Sequence, residues 1–136
     1  MLPDKRYCFD RFIRESTIAD IIDAHLAGHR IHTAKSVIEN LALITHKDSQ
    51  RHWEGDHGQS RASDPQALQA AVNVFEAANG SYVDGHAWQF TPESFRGVIA
   101  TLGALGYVRL AVERVYSTLY GSSEFYAILK RPRPVD

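Results

Sequence analysis

Thiols are scarce in this sequence: Cys8 is the single cysteine among 136 residues. One thiol excludes an internal disulfide and any zinc or iron–sulfur site built from several thiolates, and it fits a reducing compartment. A surplus of charge is lacking as well. Fifteen Lys and Arg stand against sixteen Asp and Glu, for a formal net charge of −1. A nucleic-acid binder carries a basic surplus or stripe, so nucleic acid is not an expected partner. The short run Lys130-Arg131-Pro132-Arg133 reads as a solvated tail. No apolar stretch reaches the roughly 18 residues that span a bilayer. The opening Met-Leu-Pro-Asp-Lys-Arg has no apolar signal core. The expectation is a cytoplasmic protein without a membrane partner. Clustered glycine is missing too: none of the nine glycines makes a turn that follows a strand and opens a helix. Gly55 and Gly58 lie close together, but in a polar stretch with no strand before them.

What is present is the composition of a globular domain, with 44% hydrophobic and 23% charged residues in one domain's length of chain. Residues 1–15 read as irregular, with Leu2-Pro3 too short to stand alone as a strand. From Ser16, the spacing of Ile18, Ile21, Ile22 and Leu26 predicts a helix capped by Ser16 or Thr17 and ended by Gly28. A shorter helix is expected near Ala34–Ile44, with Val37, Ile38, Leu41 and Ile44 on one face. Residues 45–64 are polar and turn-rich and read as a long loop. Asp64-Pro65 is a helix start, with Asp as cap and Pro at the first position. Leu68, Ala71, Val72 and Phe75 form the stripe of that helix, and Asn79-Gly80 ends it.

The last third begins with an extended His86-Ala87-Trp88-Gln89-Phe90. Thr91-Pro92-Glu93 then opens a helix bearing Phe95, Val98, Ile99, Leu102 and Leu105, closed by Gly106. Two strands follow, about Val108–Tyr116 and Glu124–Lys130, around a loop with Gly121. Val115 is out of phase with Val108, Leu110 and Val112, which predicts a bulge.

Local strings carry a resemblance. Pro3-Asp4-Lys5-Arg6-Tyr7-Cys8-Phe9-Asp10 resembles the segment leaving the fifth sheet strand in bacterial class I S-adenosylmethionine-dependent methyltransferases. Ser16-Thr17-Ile18-Ala19-Asp20 is similar to the helix that follows it there. His86-x-Trp88-x-Phe90-Thr91-Pro92-x-Ser94-Phe95 is similar to the start of that family's last large helix. The ending, with Glu124-Phe125, resembles its sixth and seventh strands. The likeness runs from Pro3 to Arg131. It implies an α+β chain that is the C-terminal, acceptor-side portion of a Rossmann-like methyltransferase fold: three to four helices and a C-terminal antiparallel hairpin, the cofactor-binding βαβ half absent. On this reading residues 1–136 form one partial domain. Residues 16–79 are a mainly helical insertion with its polar loop at 45–64, and residues 86–131 are a strand-helix-strand-strand tail. Met1 falls where the family's fifth strand ends, as in a reading frame that is split, truncated or started late.

The resemblance implies S-adenosylmethionine as cofactor, yet the Gly-rich turn and the acidic residue that would hold it have no counterpart. No cofactor-binding residue is assigned, and the chain alone is expected to be inactive. It also implies an acceptor over the C-terminal strand ends, a small molecule or saccharide. Asp4, Lys5, Arg6 and Tyr7 would then lie at the site mouth, with His86 and Trp88 beside it. The loop with His52, Trp53, Asp56 and His57 would supply a lid or pocket. His57 and His86 are the candidate bases, and Trp53 offers a flat face for a ring. Plainer roles stay open: His86 as a hydrogen-bond partner of a loop carbonyl, Trp88 and Phe90 as core plugs, Asp4-Lys5-Arg6 as a solvated turn, and Trp53 and His57 on a loop with no site. His25, His29 and His32 sit three and four apart, but Gly28 interrupts them, and no metal site is assigned. The competing function is a non-catalytic α+β module that self-associates as a homo-oligomer or complements another chain through an exposed sheet edge.

Overall fold

The computed structural model describes residues 1–132; Arg133 of the basic run lies outside them. Five α-helices and three strands make up these residues: β1 Leu2–Pro3, α1 Ile18–Leu26, α2 Ala34–Ala42, α3 Ser49–Trp53, α4 Pro65–Ala78, α5 Pro92–Ala104, β2 Ala111–Tyr116 and β3 Glu124–Lys130. The fold is α+β. The sheet is antiparallel in the order β1-β3-β2.

Helix starts follow the side chains that can satisfy free first-turn amides. Thr17, Thr33, Asp48, Asp64 and Thr91 are the N-caps, each accepting from an amide two or three residues on. Pro65 and Pro92 follow their caps, where a missing N–H does no harm. Asn79 ends α4 in the left-handed region, at φ 46°, which Asn tolerates better than most residues.

Long α4 and α5 match expectation closely. The polar stretch 45–64 differs, because it contains α3. Asp48 caps Arg51 N at 3.1 Å, and a five-residue helix is too short to show an apolar period. This accounts for five helices where three to four were expected. Strand β2 begins at Ala111 rather than Val108, because Tyr107 and Val108 still donate to Leu102 O at the end of α5. The bulge falls between Val112 and Arg114. Leu2-Pro3 does form a strand, since Leu2 pairs with Phe125 and Pro3 with Glu124. Leu26 and Leu105 were expected on buried stripes, but both are exposed; apolar spacing does not reveal where a neighbour stops.

The main core gathers Phe90, Phe95, Val98, Leu102 and Phe125, with Ile18, Ile21, Ile22, Val115, Ala127 and Leu129 packed around them. Phe125 is fully buried at the centre, edge-on to Phe95. Helix α5 packs on β2 and β3, and α1 on α5. A second core joins α2 to α4 through Ala42, Ala67 and Ala71. No helix among the described residues is long and apolar enough to cross a membrane.

Candidate functional site

Two polar clusters stand out. The first centres on His86, in the irregular chain before α5. Asn40 of α2 holds its backbone from both sides: Nδ2 donates to His86 O at 2.7 Å, and His86 N donates to Oδ1 at 2.8 Å. Asn40 lies so close to Gly85 that a Cβ there would come within 2.9 Å of its Cγ, so the position needs glycine. Ser16 grips the next residues, donating its amide to Gln89 O and accepting Gln89 N at its hydroxyl.

On this frame the His86 ring meets Asp10, with Nδ1 2.7 Å from Oδ2. A carboxylate only accepts, so His86 Nδ1 carries the proton and Nε2 presents its lone pair. Asp10 is 1% exposed, while the His86 side chain is 32% exposed. The hydrogen bond to Asp10 raises the His86 pKa against the opposing effect of burial. Asp10 Oδ1 is buried without a hydrogen-bond partner, which leaves its charge reliant on the imidazole. Phe9 lies against the ring at 4.7 Å between centroids, with the Lys47 ammonium 5.5 Å from Phe9. Burial, helped by the Asp10 charge, pushes the neighbouring Cys8 thiol up to about 12, so it is no nucleophile at neutral pH.

The second cluster stacks His46, His52 and His57. Ring centroids are 4.2 Å apart for His46–His52 and 5.3 Å for His52–His57. His52 Nε2 is 3.1 Å from His46 O, and a carbonyl fixes the proton on that nitrogen. His52 Nδ1 is therefore the acceptor for His57 Nδ1–H, 3.0 Å away. By the same logic His46 donates from Nε2 to Asp56 O, leaving its buried Nδ1 unpartnered. Desolvation is the main cause that lowers the pKa of both His52 and His57. Three neutral rings in a defined tautomer chain result.

The remaining sequence-assigned residues are occupied internally. Asp4 is fully buried, receives Arg6 through two nitrogens, and accepts from Thr118 Oγ1. Its hydrogen bond raises the Arg6 pKa. Lys5 donates to Arg11 O, and burial lowers its pKa. Tyr7 stacks on Trp53 at 3.7 Å with planes 4° apart, and Trp53 Nε1 donates to Ser122 O. Trp53 thus pins α3 against the β2–β3 loop. Asp56 is paired with Arg51, which lowers its pKa. Trp88 is 38% exposed, while Phe90 is buried. The structure therefore joins Asp4 to Arg6, Tyr7 to Trp53 and His57 to His52, and places His86 in a different cluster from His57.

Reasoning from sequence missed Asp10, Asn40 and His46. Asp10 lay within a quoted string, and an Asp paired with a His anywhere in a chain is a familiar arrangement, but no spacing links residues 76 apart. Among the described residues no three His, Cys, Asp or Glu side chains converge as a metal site. The positive-φ glycines lie at positions 28, 55, 58, 80, 106 and 121. None of them stands between a strand and the helix after it, so the residues present do not fit an S-adenosylmethionine site. Comparison with family models, curated proteins and solved structures found no match.

Proposed function

We propose that this chain is the acceptor-side portion of a class I methyltransferase-like fold, in which His86 is the general base for an acceptor hydroxyl. The observation that carries the reading is the Asp10–His86 pair. Asp10 fixes the tautomer and orientation of the ring and strengthens it as a base, while Nε2 is left for an acceptor proton. His86 accepts that proton at Nε2 in its neutral form, and Asp10 then balances the imidazolium. Strand order supports the same reading. Leu2-Pro3, which the resemblance sets at the end of the fifth strand, pairs with the last strand of the hairpin, so the hairpin continues the sheet. The donor half of the chemistry has no residues here, and a complementing chain would have to supply it.

The test is to co-express this chain with the polypeptide encoded immediately upstream and titrate S-adenosylmethionine into each preparation. Binding by the co-purified pair and none by this chain alone supports the proposal. Binding by this chain alone sinks the claim of a missing donor site, and absence of both complex and binding sinks the split-enzyme reading.

A second reading, a non-catalytic module that pairs with itself or with another chain, is favoured by the outer sheet face. Tyr116 lies opposite Tyr126 and Arg114 opposite Ile128, and all four are exposed. Light scattering that shows a monomer at high concentration counts against it.

A further inference from the structure

A cleft of about 380 Å³ lies between α1, the 29–33 loop, α2 and the segment 87–89, on a side of the molecule that no sequence motif marked. Its volume falls within the ~300–1,000 Å³ range of small-molecule sites. Its charges balance: Arg14, Arg30 and Lys35 against Asp20, Asp23 and Glu39. Two of these pairs are already closed, Arg14 on Asp20 and Lys35 on Glu39. Burial would raise the Asp20 pKa, but Thr17 and Arg14 outweigh it and hold it down to about 2, which keeps that pair intact. No surplus cation is left to select a phosphate or carboxylate.

The uncharged groups are more telling. Gln89 is 5% exposed, yet it lines the cleft. Its Nε2 donates to His86 O at 3.2 Å, which commits the amide's orientation. Oε1 accepts no hydrogen bond among the described residues. A polar side chain this buried normally has both ends satisfied, so Oε1 is an acceptor awaiting a donor. Beside it Trp88 shows more than a third of its surface, and Tyr82 of the rim is 61% exposed. Flat aromatic faces next to mixed, charge-balanced hydrogen-bonding groups match a ring with an apolar C–H face and a rim of hydroxyls, each able to donate and accept.

We infer that this cleft binds a neutral saccharide, its ring stacked on Trp88 and one hydroxyl donating to Gln89 Oε1. Binding requires neither a methyl donor nor His86, so it stands or falls apart from the function proposed above.

Nitrogen-15-labelled chain has two indole N–H signals. That of Trp53 is tied to Ser122 O and serves as an internal control. Titration with methyl glycosides of glucose, galactose, mannose and N-acetylglucosamine, and separately with inorganic phosphate, reads both signals. At least one glycoside should shift the Trp88 signal saturably while Trp53 stays in place. Trp88→Ala should weaken binding about tenfold, read by ligand-observed saturation transfer. Should Trp88→Ala melt early, Tyr82→Ala alters only the exposed rim and should also weaken binding. The inference is overturned if no glycoside moves Trp88, if phosphate does so instead, or if a folded Trp88→Ala chain binds as well as the parent.

Discussion

At the scale of single residues, Asp10 and His86 depend on each other for their protonation states. Because the folded pKa of His86 is raised, its stabilising contribution is complete below the ordinary value of 6.5 and is lost as pH rises through the higher folded value. Asp10→Asn should bring the His86 titration, followed by proton NMR at Cε1, back down toward or below 6.5. An unchanged midpoint would remove Asp10 as the cause. His86→Ala leaves a buried carboxylate with neither oxygen paired and should lower stability by roughly 2–3 kcal/mol in urea unfolding at pH 6. His52 and His57 act with the opposite sign. Their folded pKa values are lowered, so their contribution is present above 6.5 and is lost as pH falls through the folded values. Protonating His52 would also put a proton at Nδ1, facing the His57 Nδ1–H. Thermal melts of His52→Gln should therefore lose part of the parent's destabilisation between about pH 6.5 and 5; an identical acid slope would show that the stack does not titrate.

At the scale of elements, most helices are set by local chemistry and should respond to local change. Asp64 accepts from the amides of Gln66 and Ala67, and Asp64→Ala should cost about 1 kcal/mol in chemical denaturation, with α4 fraying first in amide exchange. The segment before α5 is of the other kind, with its path imposed by α2. Gly85→Ala would drive a methyl into Asn40 and should cost about 1–3 kcal/mol. Since Asn40 clamps the His86 backbone, the same variant should also shift the His86 titration. A helix-cap defect would not move it.

At the scale of the whole molecule, β3 is the central strand and Phe125 the residue on which both layers close. Phe125→Ala should cost about 3–5 kcal/mol, visible as a large fall in melting temperature, whereas Tyr126→Ala on the outer face of the same strand should change it little. Sheet order is what a local reading could not supply. The hairpin was legible from its alternation and Gly121, but its pairing with Leu2-Pro3 joins residues more than a hundred positions apart.

The sequence alone determined where α4 and α5 begin and end, the stripes of α1 and α2, the hairpin with its bulge, and the absence of a glycine-rich cofactor turn. These are properties of short segments: cap chemistry acts over three residues, and apolar periods over one or two turns. Tertiary structure decided which polar side chains meet. It buried Asp4 against Arg6 and Thr118, closed Trp53 over Tyr7, brought Asp10 to His86, and opened a cleft beside Trp88. Those outcomes depend on the path of the chain between distant elements. Burial and hydrogen-bond partners then give otherwise ordinary Asp, His and Gln residues their particular chemistry, and no spacing along the chain records that path.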